Sequence, residues 1–179
     1  MVAGSPGAGK TRLARTLAGV RGLPYVEIDG LYHGPNWTPR PSFAAEVQAF
    51  AAQESWVTEW QYTSVRPKLL ARATTVVWLD LPTWRVQAQL WRRTLTRWST
   101  RQELWHGNRE PGLRVLLSRN DESILWWGWT NRDRYRDLPA LLAAIAAEHE
   151  IPDPHMDGLV VVHLRTHREV KQWLDAQIH

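Results

Sequence analysis

GSPGAGKT, residues 4–11, fills every fixed position of the pattern G-x-x-x-x-G-K-[ST]. Its three glycines permit backbone conformations in which successive N–H groups point to one centre, where an anion can bind. A helix that follows such a loop adds the positive end of its dipole. The stretch therefore predicts a phosphate-binding loop, and the residues expected to surround the phosphates are Gly4, Ser5, Pro6, Gly7, Ala8, Gly9, Lys10 and Thr11.

The last two residues of this loop carry its expected chemistry. In loops with this pattern the lysine reaches the β- and γ-phosphates, and the hydroxyl beside it binds Mg²⁺. Lys10 and Thr11 are placed for these two roles. The loop thus predicts ATP with Mg²⁺ as its ligand, although no base-reading motif separates ATP from GTP.

Strand and helix patterns alternate outward from the loop. Residues 1–4 form a short first strand, and residues 10–20 form a helix with Leu13, Leu17 and Val20 on one face. Further strands are expected at 24–29, 55–60, 74–81 and 158–164. This alternation favours an α/β fold of three layers, with a parallel sheet between helices. No linker divides the chain, so residues 1–179 are expected to form one domain, with 99–122 as an inserted lid.

Composition limits the other classes of function. The chain has 179 residues, no cysteine and a formal net charge of +4, which excludes disulfides and thiolate metal sites and favours anionic partners. No apolar run approaches the ~20 residues of a membrane span, and no signal-peptide pattern begins the sequence. These features together predict a cytoplasmic protein.

Residues 84–98, WRVQAQLWRRTLTRW, combine a tryptophan stripe with arginines. Trp84, Trp91 and Trp98 share one helical face, which indicates packing on the sheet. Arg93 and Arg97 lie off that stripe, where they would neutralise charge on a phosphoryl group. The same pattern is compatible with stacking on nucleic acid, or with a membrane surface.

Several segments in order resemble one family. These are GSPGAGKTRLARTLA (4–18), LPYVEIDGLYHGPNW (23–37), SWVTEWQY (55–62), VVWLDLP (76–82) and RRTLTRW (92–98). They are similar to adenylate-kinase-like P-loop proteins, in the group described as topology-modulation proteins or kinases. RQELWHGNREP (101–111) and SILWWGW (123–129) resemble an actinobacterial branch of it. The resemblance implies a five-stranded parallel sheet of order 2-3-1-4-5, with helices on both faces and a helical lid.

The resemblance also implies roles for acidic residues. Kinases of this kind place an aspartate where Asp29 stands, to accept the proton of the acceptor hydroxyl. Glu59 stands at the end of the third strand, where a carboxylate completes the Mg²⁺ site with Thr11. The family tends to read Asp-Gly-Asn there, whereas this chain has Glu59, Trp60 and Gln61. Asp80, at the end of the fourth strand, is the alternative metal carboxylate.

Two functions follow from these features. The first is an ATP/Mg²⁺ phosphotransferase of the nucleoside or nucleotide kinase type, in which Lys10, Asp29, Arg93 and Arg97 act on an unidentified small acceptor. The second is a nucleotide-dependent nucleic-acid-binding protein without kinase activity, whose footprint would be the basic, aromatic stretch 84–136. Arg101 and Arg109 are further candidates for contacts with phosphate.

Overall fold

A computed structural model describes residues 1–120 and 123–178. The described part of the chain is α/β, with short parallel strands and ten α-helices. The strands are β1 (Val2–Gly4), β2 (Tyr25–Val26), β3 (Val57–Thr58), β4 (Thr75–Leu79) and β5 (Val160–Leu164). The helices are α1 (Lys10–Arg21), α2 (Ile28–Tyr32), α3 (Phe43–Ala51), α4 (Arg66–Leu70), α5 (Thr83–Ser99), α6 (Leu113–Leu116), α7 (Ile124–Thr130), α8 (Leu138–Glu148), α9 (Asp153–Asp157) and α10 (His167–Asp175). None of the helices in this part is long and apolar enough to cross a membrane.

The strands form two parallel groups. One sheet has the order β1-β4-β5, in which Val2 faces Val77 and Val77 faces Val162. The other pairs β2 with β3. A single parallel bridge between Val2 and Glu59 lies between the groups, and there the Trp60 amide donates to the Val2 carbonyl over 2.8 Å.

Both faces of the strands are covered by apolar side chains. Alternate residues of a strand point to opposite faces, and β4 follows this rule: Val76 and Trp78 belong to one buried cluster, and Val77 and Leu79 to the other. Helices α3, α4 and α8 contribute to the first cluster, and α1 and α10 to the second. The described chain is thus α/β with a small parallel sheet of three strands and a separate pair, rather than the single five-stranded sheet that the resemblance implied. Strands β1 and β4 run parallel, so their carboxyl ends lie at the same edge.

The second strand is shorter than the sequence predicted. Residues 24–29 were expected to be a strand ending at Asp29, but β2 ends at Val26 and Asp29 lies in the first turn of α2. In the described structure β2 pairs only with β3, so hydrogen bonds hold it on one side alone. After Val26 the chain turns into α2, where Ile28 is buried in the core.

Helix α5 forms over Thr83–Ser99, as its periodicity predicted, but it buries the opposite face from the one expected. Its buried residues are Val86, Gln87, Leu90 and Thr94. The tryptophans of the stripe are exposed, with fractions of 68% for Trp84, 40% for Trp91 and 36% for Trp98. The prediction that this stripe faces the sheet is therefore wrong. The opposite face is covered by the glycine-rich loop of residues 4–11 and by α7, where Gln87 donates to the Gly128 carbonyl.

The predicted lid is only partly helical. Between residues 99 and 120 the helical segments are a 3-10 turn at Trp105–Gly107 and the four-residue α6, while positions 121 and 122 of the lid lie outside the described residues. Its first half rests on the loop after α2. Asn108 is buried there; it donates to the Gly34 carbonyl and accepts from the Trp37 amide.

Candidate functional site

The glycine-rich loop connects β1 to α1 in the conformation that its glycines permit. Gly7 and Gly9 have φ values of +90° and +93°, which residues with a Cβ rarely adopt. Gly7 also meets α5 closely, because an added Cβ would lie 2.7 Å from the Val86 carbonyl oxygen and 2.9 Å from Leu90 Cβ. Gly9 has open space around it and caps the start of α1. The loop is thus held against α5 at Gly7, while its other end leads directly into a helix N-terminus.

Lys10 is the charged centre of this region. Its side chain is only 8% exposed, and Nζ lies 3.3 Å from the Ser5 carbonyl oxygen. Burial lowers the pKa of the Lys10 ammonium to about 8, while the negative charges of Asp29 and Glu59 oppose this shift. Arg93 is close enough to lower that pKa further. The loop lysine therefore lies among the acidic and basic residues that the sequence analysis selected.

Glu59 occupies a buried position directly after β3. It is 1% exposed, and Oε1 accepts a 2.8 Å hydrogen bond from the Tyr25 hydroxyl. Burial raises the pKa of this carboxyl, whereas the nearby hydroxyls of Thr11 and Tyr25 lower it. Among the described residues, Glu59 Oε2 has no hydrogen-bond partner. A buried carboxylate oxygen without a partner, beside the Thr11 hydroxyl, is suited to a hydrated cation.

Asp29, whose charge acts on both Lys10 and Glu59, is held by a polar relay. Its Oδ1 accepts from the Tyr62 hydroxyl at 2.7 Å and from Gln61 Nε2 at 3.4 Å. The Tyr62 hydroxyl is also 3.2 Å from His33 Nε2. Burial lowers the pKa of His33, and burial together with the Asp29 charge raises that of Tyr62. The hydrogen bonds from Tyr62 and Gln61 fix the orientation of the Asp29 carboxylate.

Arg93 and Arg97 leave α5 on the side of the site, away from the tryptophans. Arg93 is an exposed residue of α5. Neighbouring atoms nonetheless remove water from around its guanidinium, and this desolvation lowers the pKa of Arg93. The positive charge of Arg97 lowers that pKa further. Arg97 Nη1 lies 3.7 Å from Oε1 of Glu110. Burial raises the pKa of Glu110, and the two arginines oppose this. The structure thus brings Arg93 close to Lys10 and Asp29, with Arg97 beside it.

Other candidates from the sequence lie apart from this cluster. Asp80 Oδ2 is 2.8 Å from His163 Nε2, so its carboxylate is engaged on the β5 side. Arg101 is exposed and has a positive φ of 48°. Arg109 Nη2 lies 3.6 Å from the exposed Glu103. Of the two carboxylates considered for metal, Glu59 is the one beside Thr11.

Sequence reasoning missed Arg66, which lies under the site. Its guanidinium is buried, 4.7 Å from the centre of the Trp60 ring, and it donates to the Tyr135 hydroxyl. Burial lowers the pKa of Arg66, and its charge contributes to the lowered pKa of Lys10. Nothing local marks this arginine, because its partners are 6 and 69 residues away along the chain.

A second missed group is an aromatic wall beside Asp29. Trp105 from the lid lies against Gly30 and stacks on His33 with ring centres 5.9 Å apart. Tyr32 stacks on Tyr62 at 4.1 Å. Trp37 meets the His33 ring edge-on and donates through its indole N–H to the Arg109 carbonyl. The acidic side of the site is therefore enclosed by rings from three separate segments.

A polar cavity of about 330 Å³ opens beside Ser5 of the glycine-rich loop. It reaches from Ser5 to the carboxyl end of β4 and the segment before α8; the residues that matter most for its charge are Asp80, Arg132, Asp133 and Arg136. The Ser5 hydroxyl donates to the Arg132 carbonyl across one edge of it. Ser5 of the glycine-rich loop thus lines this cavity.

No protein-family model and no curated protein matches this chain.

Proposed function

We propose that the chain is an ATP- and Mg²⁺-dependent phosphotransferase of the P-loop kinase type, which transfers the γ-phosphate to a small acceptor. The observation that carries this proposal is the convergence on one loop of Lys10, Thr11 and the buried Glu59. A glycine-rich turn without that function needs neither a buried ammonium nor a buried carboxylate, and burying both has a cost in free energy.

The strand order supports the same assignment. An isolated parallel bridge joins Val2 of β1 to Glu59, the residue after β3. Joined there, the two parallel groups would have the order 2-3-1-4-5, which is the order implied by the resemblance to adenylate-kinase-like proteins. Glu59 then follows the strand beside the loop strand, where such kinases carry their metal carboxylate.

The residues present fit a magnesium ion. No group of three or more His, Asp or Glu in the described residues forms a ready-made metal cage. Mg²⁺ in nucleotide sites is nonetheless held by one or two protein oxygens together with phosphates and water. Thr11 Oγ1 and Glu59 Oε2 would be those oxygens, Glu59 directly or through water. Held there, Mg²⁺ would supply positive charge beside the phosphates, which Lys10 and the loop N–H groups would keep in position.

The remaining residues divide into two sides around the transferred phosphoryl group. On the donor side, the loop N–H groups and Lys10 would hold the β- and γ-phosphates, and the 330 Å³ cavity beside Ser5 has room for the nucleoside. On the acceptor side, Asp29 would accept the hydroxyl proton while Tyr62 and Gln61 hold its carboxylate. Arg93 and Arg97 would stabilise charge on the phosphoryl group, so most of the rate would come from positioning and electrostatics.

Acceptor-dependent release of ADP tests this proposal. The purified chain is incubated with Mg²⁺-ATP and a panel of nucleosides, nucleotides and small alcohols, and ADP is measured with and without each acceptor. We expect at least one acceptor to accelerate ADP release. Asp29→Asn should then retain ATP affinity but lose ~10²-fold or more in transfer, because a general base has been removed.

Glu54→Gln is a matched control for the charge change, since Glu54 is exposed and lies outside the site. Binding of ATP without acceptor-dependent release across the panel would reject the kinase assignment and leave a nucleotide-binding protein. Equal transfer by Asp29→Asn and the parent would reject the role of Asp29 alone.

A further inference from the structure

The outer face of α5 carries an aromatic stripe that the proposed reaction does not use. Trp84, Ala88, Trp91, Leu95 and Trp98 lie on one side of the helix, and all five are exposed. The stripe extends over about 21 Å at 1.5 Å per residue, with neighbouring tryptophans about 10 Å apart. Large exposed aromatics arranged in a continuous row are characteristic of interaction sites.

The charge of this face is positive throughout. Residues 83–99 contain Arg85, Arg92, Arg93 and Arg97 and no acidic residue. Arg93 and Arg97 turn toward the nucleotide site, whereas Arg85 and Arg92 are exposed beside the tryptophans. The guanidinium of Arg85 lies 4.9 Å from the centre of the Trp84 ring. The Arg85 guanidinium can therefore contact a phosphate, and the exposed Trp84 indole can stack on a planar ring.

We propose that this face binds single-stranded nucleic acid, with bases stacking on Trp84, Trp91 and Trp98 and phosphates contacting Arg85 and Arg92. Aromatic platforms beside basic side chains bind single strands without regard to sequence, because every base has a stackable face. The inference does not rest on the kinase proposal, since the stripe lies on the opposite side of α5 from Val86 and Leu90, which contact the loop.

Two other occupants fit the face less well. Insertion into a membrane would carry the Arg85 guanidinium toward hydrocarbon together with the Trp84 ring on which it lies, at a cost in desolvation. A second copy of the same face would bring arginine toward arginine, with no acidic residue on either helix to neutralise them. A polynucleotide supplies both the negative charge and the rings.

Fluorescence anisotropy with a labelled 20-nucleotide oligo(dT), at two salt concentrations, tests the proposal on the full chain. We expect salt-dependent binding, and Trp84→Ala should raise Kd about 5-fold or more, in line with the loss of one stacked base. Arg85→Gln and Arg92→Gln should each reduce the slope of log Kd against log salt by about 0.7. Trp84→Ala should leave ADP release unchanged.

Trp129→Ala is the matched control, because Trp129 is 50% exposed on α7 and also has an arginine, Arg132, over its ring. We expect its Kd to stay within 2-fold of the parent. An abasic oligomer of the same length provides the second control, and it should bind more weakly and respond little to Trp84→Ala.

Four results would overturn the proposal: no binding of oligo(dT); equal losses in Trp84→Ala and Trp129→Ala; equal affinity for the abasic oligomer; or preferential binding of phosphatidylserine vesicles. A dimer in light scattering that Trp84→Ala converts to monomer, without oligo(dT) binding, would identify a second copy as the occupant instead.

Discussion

The glycine-rich loop of residues 4–11 and helix α5 touch at Gly7, yet the sequence specifies them to different degrees. In the loop, each residue acts through its own backbone or its own short side chain, so its place follows from the motif. In α5, periodicity correctly grouped the tryptophans on one face but assigned that face to the core. The difference shows that a helical pattern tells which residues lie together, while the neighbours decide which side they cover.

The largest expected effect concerns the loop. Lys10→Ala should lower ATP turnover by about 10²–10³-fold, because an electrostatic contact with the transferring phosphate is lost in a buried site. The fold should remain, since the substitution removes a buried charge. Calorimetry with Mg²⁺-ATP and an ADP-release assay measure the effect, and circular dichroism checks the fold. A variant that binds and turns over ATP like the parent would place the phosphate site elsewhere.

The two faces of α5 should differ in free energy of unfolding. Leu90→Ala should cost ~2–5 kcal/mol, because Leu90 is fully buried between the loop and α7. Trp84→Ala, at 68% exposure, should change stability by no more than about 0.5 kcal/mol. Urea unfolding curves of both variants test this contrast. If Trp84→Ala proved the more destabilising, the tryptophan face would be the core face after all.

The loop, unlike the outer face of α5, contains a group that should link stability to pH. The folded pKa of Lys10 is about 8, lowered from 10.5 by burial. Between these values the unfolded chain holds a proton that the folded chain has released, so stability of the ligand-free protein should rise with pH across this window. The rise amounts to about 3 kcal/mol at most, at about 1.4 kcal/mol per unit.

Comparison with Lys10→Met isolates this effect from other groups that titrate in alkali. Urea midpoints at pH 7.5, 9 and 10.5 should increase in the parent relative to the variant. Parallel curves for the two proteins would show that Lys10 has an ordinary pKa in the folded state.

The smallest expected effect is the difference between two glycines of the loop. Gly7→Ala adds a Cβ within 3 Å of α5 at a positive φ, whereas Gly9→Ala meets a positive φ alone. We expect backbone strain of about 1–2 kcal/mol in both, and ~1–3 kcal/mol more in Gly7→Ala from overpacking. Thermal melts measure the difference. Equal losses would mean that the loop and α5 are not in close contact.

Much of the site could be predicted from the sequence because its parts are short and local. The loop of residues 4–11, the helix after it and the strand before Asp80 follow from glycine placement, capping and β-branched runs. The predicted helix of residues 10–20 is observed as α1, which is capped at Gly22, where the Gly22 amide donates to the Ala18 carbonyl. The resemblance to adenylate-kinase-like proteins, rather than the local pattern, singled out the carboxylate of Glu59, which lies beside Thr11.

Only the tertiary structure decided the rest, since those features depend on contacts between distant segments. Asp29 stands in a helix rather than at a strand end because the edge strand β2 stops at Val26. Arg66 is held by Tyr135, and Asn108 by Gly34, across 69 and 74 residues. The tryptophans of α5 face outward because the loop and α7 pack against the opposite side of the helix. Glycines at positions 7 and 128 allow these two segments to approach α5 closely. Sequence periodicity sets the angle between side chains on a helix, but the choice of buried face is made by whichever neighbours pack most closely.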